Sequence, residues 1–163
     1  MSISFLYGAQ SEATAQLDDE SKTLELGARL ARALHPGLRI YLSGDLGAGK
    51  TTLVRGCLRA LGYQGRVKSP TFSLVELYEF SRLYLYHFDF YRFEDPTEWS
   101  DAGFRDAFSG SGVCIVEWPQ KAAGRLPAAD LEIRLEHVGT GRAVRIDAET
   151  EHGKLCMEEL LVA

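Results

Sequence analysis

The chain has 163 residues, the length of one domain and enough to close a single hydrophobic core. Hydrophobic residues make up 45% and charged residues 25%, which excludes large-scale disorder, and no apolar run approaches the roughly 18 residues of a membrane span. With 18 Lys and Arg against 23 Asp and Glu, the net charge is −5, so independent tight binding of nucleic acid is not expected, because such binding draws on cationic contacts to phosphate. Any RNA would be met through a partner. The stretch Met1-Ser2-Ile3-Ser4-Phe5-Leu6-Tyr7 carries neither a basic leader nor an apolar block with a cleavage site, and a cytosolic location is expected. Cys57, Cys114 and Cys156 are too few and too scattered for a disulfide framework, and His35, His87, His137 and His152 show no zinc-type spacing. Reduced, mostly buried thiols are expected.

Taken in chain order, residues 20–34 read as an amphipathic helix, with Leu24, Ala28, Ala31 and Leu34 at helical spacing and Pro36-Gly37 as the stop. Arg39-Ile40-Tyr41-Leu42-Ser43 reads as a short buried strand running into a glycine-rich turn. A helix from Thr51 to about Leu61 follows and ends at Gly62. Residues 72–80 and 83–89, separated by Ser81-Arg82, predict a hairpin. Asp95-Pro96-Thr97-Glu98 opens another helix, with Asp95 as cap, Pro96 in the first turn and Glu98 three residues after the cap; Gly103 ends it. Val113-Cys114-Ile115-Val116 is a second buried strand, terminated by Glu117, and strands near 131–136 and 143–148 close the pattern. Without repeats or a long linker, the alternation predicts one α/β domain over residues 1–163. Its central sheet should be mostly parallel, with an antiparallel extension and flanking helices.

Gly44-Asp45-Leu46-Gly47-Ala48-Gly49-Lys50-Thr51 matches G-x-x-x-x-G-K-[ST] at every fixed position. A chance match in a chain of this length is expected about half a percent of the time, and here a strand precedes the loop and a helix follows it. Glycines let the backbone wrap closely around phosphates with successive N–H groups aimed inward, and the helix N-terminus adds positive potential. Lys50 can reach the β- and γ-phosphates, and the Thr51 hydroxyl can ligate Mg²⁺. The chain contains no [NT]-K-x-D element of the kind that reads guanine, so ATP is the nucleotide favoured.

A phosphate-loop enzyme also needs an acid at a neighbouring strand end. Glu117 and Asp89 both qualify. Thr71, in Ser69-Pro70-Thr71-Phe72, stands where a switch threonine could meet the γ-phosphate or its metal, with a plain turn as the competing reading. Tyr91-Arg92 could stabilise transition-state charge or pair with a surface acid, and Trp118 is open between core, site wall and partner contact. The aromatic stretch from Tyr84 to Tyr91 suits core packing of a half-buried strand better than base stacking. Glu117 ends the more apolar strand and is expected to be the more deeply buried acid. Mg²⁺ held with Thr51 would compensate its charge, and Asp89 would act at one remove, through a water.

These blocks resemble the TsaE (YjeE) family of P-loop ATPases. The resemblance is carried by Gly44 to Thr52, Ser69-Pro70-Thr71-Phe72, His87-Phe88-Asp89-Phe90-Tyr91-Arg92 and Val116-Glu117-Trp118-Pro119, and it runs from about Ser21 to Leu135. It implies a P-loop NTPase-like fold and a weak, partner-dependent ATPase in the synthesis of threonylcarbamoyladenosine at position 37 of tRNA. A TsaD–TsaB-type pair would be the partner, and tRNA would be met only through it. Carried over by position, Gly44, Asp45, Leu46, Gly47, Ala48, Gly49, Lys50, Thr51 and Thr52 would bind nucleotide. Thr51 and Glu117 would be the Mg²⁺ ligands, and Lys50, Asp89 and Thr71 the catalytic groups. The resemblance also implies nucleotide contacts at Asp19 and Arg142. Two rival readings are a small-molecule kinase, against which stands the lack of an arginine-dense lid segment, and a nucleotide-dependent docking switch that does not hydrolyse.

Overall fold

Residues 3–8 and 11–162 are described in the computed structural model. Strands β1 (Phe5–Tyr7) and β2 (Glu12–Leu17) precede helix α1 (Glu20–Arg32), strand β3 (Arg39–Ser43) and helix α2 (Lys50–Ala60). The hairpin of β4 (Val75–Glu79) and β5 (Tyr84–Asp89) leads through short helices α3 (Thr97–Asp101) and α4 (Arg105–Ser109) into β6 (Val113–Glu117). After a 3-10 turn at Pro119–Ala122, β7 (Leu131–Val138) and β8 (Gly141–Ala148) form a second hairpin, and α5 (Glu151–Val162) follows.

The strands join one 8-stranded sheet in the order β1-β2-β8-β7-β3-β6-β5-β4. The expectation of a mostly parallel sheet is corrected. Only β3 with β6, β3 with β7, and β5 with β6 run parallel, whereas β1–β2, β2–β8, β7–β8 and β4–β5 are antiparallel. The fold is therefore α/β with a mixed sheet, whose parallel centre β7-β3-β6-β5 lies between antiparallel flanks. The reason is connection length: each hairpin returns its second strand directly beside the first, and a parallel return needs a longer crossover, such as α2 with the β4–β5 hairpin, or the 3-10 turn and loop between β6 and β7. Strands β1 and β2 and helix α5 have no counterpart among the elements expected from sequence. In β2 the inward residues are Ala13, Ala15 and Leu17, and such small side chains leave a faint alternation.

Alternation along the central strands separates two cores. Ile40, Leu42, Ile115, Ile133 and Val144 belong to the first, with Leu26 and Leu30 of α1, Leu53 and Cys57 of α2, and Leu160 of α5. Tyr41, Cys114, Val116 and Phe88 belong to the second, with Phe90, Phe93, Trp99 of α3 and Phe108 of α4. Ring centroids there stand 4.7 Å apart for Phe90–Phe93 and 4.9 Å for Phe88–Phe108, spacings at which aromatic pairs attract beyond their area burial. Phe88 and Phe90 thus serve the core, as the reading of the aromatic stretch expected. All three cysteines are free and buried, and burial pushes their thiols up to about 12.

Helix α3 has the expected opening, since the Thr97 N–H donates to Asp95 Oδ1 at 2.8 Å and Glu98 Oε2 accepts from the Asp95 N–H at 3.0 Å. Helix α1 begins at Asp19, whose Oδ1 accepts from the Lys22 N–H at 3.1 Å. Helix α5 is tied to the sheet through Asp130, which accepts from the Thr150 hydroxyl at 2.7 Å and from the Arg39 N–H at 2.8 Å.

Helices α1 and α2 touch backbone to backbone at two glycines. A Cβ on Gly27 would lie 2.2 Å from the Leu53 carbonyl oxygen, and one on Gly56 would lie 2.3 Å from that of Leu24. Because neither carbonyl can swing aside, Gly27→Ala must push the helices apart. The expected cost is about 1–3 kcal/mol, a fall in Tm of roughly 2–12 °C for a chain of this size. Thermal melts followed by circular dichroism measure it, and an unchanged Tm would show that the two helices have slack.

Candidate functional site

The phosphate-type loop leaves β3 at Ser43 and enters α2 at Lys50, at the C-terminal end of the parallel strands, where open α/β sheets place their ligands. Gly44, Gly47 and Gly49 have φ of 147°, 77° and 107°, in the range that favours glycine. At Gly44 the demand is also one of space, since a Cβ would lie 2.4 Å from the Leu135 carbonyl oxygen. An α-helix leaves its first N–H groups without intrahelical partners, and the N-cap of α2 is Gly49, which offers no side-chain acceptor to them. The loop therefore presents donors and positive potential at one point, the combination that receives an anion.

Lys50 is buried within this loop. Its Nζ donates to the Gly44 carbonyl and to the Asp45 carbonyl, the latter at 3.0 Å, and stands 4.4 Å from the centroid of the Trp118 ring. Burial lowers the pKa of its ammonium, an effect opposed by the carboxylates of Glu117, Asp89 and Asp45. The lysine is thus a desolvated cation parked on carbonyls of its own loop.

The two acids predicted at strand ends do come together. In the parallel register of β5 and β6, Asp89 pairs with Glu117, and each residue is only 3% exposed. The expected difference in burial is therefore corrected, since the aromatic neighbours Phe88 and Phe90 bury the end of β5 as well as apolar β6 buries its own. What separates the acids is their partners. Glu117 accepts from the Thr51 hydroxyl at 3.0 and 3.2 Å to its two oxygens. Asp89 accepts from the hydroxyls of Ser69 and Thr71, the latter at 3.3 Å, and from the Tyr91 N–H at 2.8 Å. Thr71 thus contacts one of the acids, and Ser69, two residues before it, does the same.

These groups line one cavity of about 480 Å³. Leu46, Gly47, Gly49, Lys50, Thr51 and Thr52 form its loop wall, and Thr71, Asp89 and Glu117 its acidic wall. Asp19 and Arg142 line it too, brought there by α1 and β8. Asp19 is held below the usual carboxylate range chiefly by the Ser21 hydroxyl, then by the Lys22 N–H. Arg142 braces the loop from outside: its Nε donates to the Ala48 carbonyl at 2.9 Å and its Nη2 to the Gly47 carbonyl at 3.0 Å. Gly44, Asp45 and Ala48 do not line this cavity. Gly44 and Asp45 border a neighbouring one of about 950 Å³, and Ala48 is buried. Arg92, a candidate for transition-state charge, lies over the exposed Phe72 ring at 4.7 Å from its centroid.

The oxygen donors fit Mg²⁺. Thr51, Glu117 and Asp89 offer a hydroxyl and two carboxylates, hard ligands of the type this ion takes. Among the described residues no group of three or more His, Cys, Asp and Glu forms a metal cage of its own. Mg²⁺ commonly binds through one or two carboxylates plus phosphate and water, so the donor set suits an ion that arrives with a nucleotide.

The sequence reading missed His87. It is fully buried, and its Nε2 stands 2.7 Å from Glu117 Oε2. Its spacing of two residues from Asp89 on the same strand was the available signal, because such residues share a face. Trp118 adopts φ 60° and ψ 48°, a left-handed conformation rare for a bulky residue, and its ring packs 4.9 Å from that of Tyr91. It is a wall of the site.

The family model described as "Threonylcarbamoyl adenosine biosynthesis protein TsaE" matches residues 17–144. A Haemophilus influenzae protein named tRNA threonylcarbamoyladenosine biosynthesis protein TsaE is 42% identical over 146 residues, covering 86% of this chain and 92% of its own length. A Bacillus subtilis protein of the same name is 39% identical over 144 residues, 87% of this chain and 88% of its own. The crystal structure of Bacillus subtilis YdiB superposes with a TM-score of 0.78 at 29% identity, covering 98% of this chain and 96% of that one.

The brace across the loop yields a measurable expectation. Arg142→Met removes the donors from the Gly47 and Ala48 carbonyls, and the loop amides should exchange with solvent about fivefold faster, the factor that corresponds to roughly 1 kcal/mol. Native-state hydrogen exchange of the Gly47 and Gly49 amides checks it. Unaltered exchange would mean that the loop holds itself without the arginine.

Proposed function

The chain belongs to the TsaE family, and on that premise we propose that it is a cytosolic P-loop ATPase that binds ATP with Mg²⁺ and hydrolyses it weakly alongside a TsaD–TsaB-type pair. The family works in tRNA threonylcarbamoyladenosine biosynthesis. The observation that carries the finer reading is the contact of the Thr51 hydroxyl, on the first turn of the uncapped helix, with the buried Glu117 carboxylate at 3.0 Å. A hydroxyl and an acid in this relation, beside a glycine loop and a desolvated lysine, suit a nucleoside triphosphate and its cation.

In this reading the backbone N–H groups of Leu46, Gly47, Gly49, Lys50 and Thr51 and the Lys50 ammonium hold the phosphates, the Ala48 N–H being held by the Asp45 carbonyl at 3.0 Å, and Thr51 and Glu117 hold the cation. Held there, Mg²⁺ would neutralise phosphate charge. Lys50 exchanges its loop carbonyls for phosphate oxygens, a favourable trade for a cation already stripped of water. Asp89 keeps Ser69 and Thr71 at the cavity wall and accepts a hydrogen bond from the water that attacks. Asp19 and Arg142, which line the same cavity, would contact the nucleotide beside the loop. Residues 1–163 act as one unit, and with a net charge of −5 the protein meets tRNA through its partners.

Lys50→Ala should weaken ATP binding by about 10- to 150-fold, the worth of a charged hydrogen bond of roughly 1.5–3 kcal/mol. In the same titration with a fluorescent ATP analogue, Glu117→Ala should lose the Mg²⁺ dependence of binding, while Asp89→Ala should spare binding and slow single-turnover hydrolysis. If Asp89→Ala loses the metal dependence and Glu117→Ala keeps it, the roles of the acids are reversed. If Lys50→Ala leaves binding and hydrolysis unchanged, residues 44–51 are not a phosphate site.

The segment from Ser69 to Phe72 links the acidic wall to the surface, since Ser69 and Thr71 reach Asp89 while Phe72 is 85% exposed. Docking on the TsaD–TsaB-type pair is therefore expected to depend on the nucleotide. A pull-down with ATP, ADP and no nucleotide, each with Mg²⁺, should recover the pair unequally. Equal recovery in all three states would remove nucleotide control of docking.

A further inference from the structure

Glu117 has a second partner besides Thr51, and the proposed phosphate and cation roles do not use it. His87 is fully buried on β5, and its Nε2 lies 2.7 Å from Glu117 Oε2, the same oxygen that stands 3.0 Å from the Thr51 hydroxyl. Its other ring nitrogen, Nδ1, is buried without a hydrogen-bond partner. A carboxylate accepts, so the hydrogen sits on Nε2 and is donated to Glu117, which makes this bond the only polar contact of the ring among the described residues. An apolar side chain of similar size would fill the same space without leaving a nitrogen unpaired, and unpaired buried polar atoms are costly. The contribution particular to a histidine here is the bond to Glu117.

That bond answers a geometric need. Three side-chain torsions set the direction of a glutamate carboxylate, and Glu117 ends its strand within the electrostatic reach of Lys50. Left to itself, the carboxylate could turn toward the lysine. With Oε2 anchored on His87, which β5 and β6 hold in fixed register through His87–Ile115 and Asp89–Glu117, it stays beside Thr51 instead. Resting on the reading of Glu117 as a cation ligand, we infer that His87 is a positioning residue, whose Nε2–H orients the Glu117 carboxylate toward the Thr51 hydroxyl and so preorganises the Mg²⁺ site.

Groups that orient a metal ligand commonly contribute about 10- to 100-fold in metal affinity. The test compares His87→Leu, which removes the donor, with His87→Gln, whose amide N–H can reach the place of Nε2. The readout is the Mg²⁺ concentration that half-saturates binding of a fluorescent ATP analogue, measured beside the analogue's affinity without metal. Mn²⁺ binding followed by electron paramagnetic resonance gives a second readout independent of hydrolysis. The expected result is a rise of about tenfold or more in half-saturating Mg²⁺ for His87→Leu, metal-free affinity unchanged, and recovery of most of the loss in His87→Gln.

If His87→Leu matches the parent protein while Glu117→Ala loses the metal dependence, the inference about His87 falls and the cation site stands. If Glu117→Ala itself keeps the metal dependence, the reading of Glu117 falls and this inference with it. Equal losses with and without metal, or a His87→Gln variant no better than His87→Leu, would mean that the ring only packs. Should His87→Leu fail to fold by circular dichroism, His87→Asn replaces it, since the shorter amide withdraws the donor from Glu117 while keeping a polar side chain.

Discussion

Two buried carboxylates side by side are the constraint around which the site is arranged. The parallel register of β5 and β6 sets Asp89 opposite Glu117, each 3% exposed, and buried carboxylates need hydrogen-bond donors to replace the water they have lost. The polar groups around them meet that need. Thr51 and His87 donate to Glu117, and Ser69, Thr71 and the Tyr91 N–H donate to Asp89. Lys50 stands within the field of both. The donors divide by element: α2 and His87 of β5 serve Glu117, and Asp89 is served by Ser69 and Thr71 before β4 and by the Tyr91 N–H just after β5.

The sheet makes this arrangement possible because its centre is parallel even though its flanks are not. Parallel strands end together, so the loop after β3 and the acids ending β5 and β6 meet at one edge. The antiparallel flank on the other side of β3 has its own part. It carries Arg142 at the start of β8 to the outside of the loop, where the guanidinium reaches the Gly47 and Ala48 carbonyls. The loop is thus gripped from both sides: Lys50 bonds carbonyls at its start, and Arg142 bonds carbonyls near its end. Beneath it, the contact of α1 with α2 through Gly27 and Gly56 holds the helix whose N-terminus the loop feeds.

Asp89, Glu117 and Trp118 also show how the site is joined to the aromatic core. Phe88 and Phe90 flank Asp89 and anchor the second core, so the acid is seated by large rings on either side of it in sequence. Trp118 follows Glu117 in a left-handed turn that sets its ring against Tyr91 and beneath the Lys50 ammonium. A cation over an aromatic face is attracted by the ring's quadrupole, which partly offsets the desolvation of the lysine. Strain in such a turn is tolerated where the surroundings over-determine it, and here both neighbouring side chains do so.

What the sequence by itself determined depends on consecutive residues, although helix α5, equally local, was not among the expected elements. The glycine loop from Gly44 to Thr51, the helix after it, the opening at Asp95 to Glu98, and the placing of Asp89 and Glu117 at strand ends all follow from local backbone preference and short-range spacing. Tertiary structure decided what depends on which strands lie side by side. The pairing of Asp89 with Glu117, the bond from His87 to Glu117, the reach of Arg142 to the loop and the mixed character of the sheet are set by register and strand order, which no run of neighbouring residues encodes. Burial of Asp89 was misjudged for the same reason, since the rings of α3 and α4 that help close over the end of β5 come from residues 97–109. Strand β2 escaped notice because Ala13 and Ala15 bury too little apolar surface to mark a pattern, and only its place beside β8 makes it a strand.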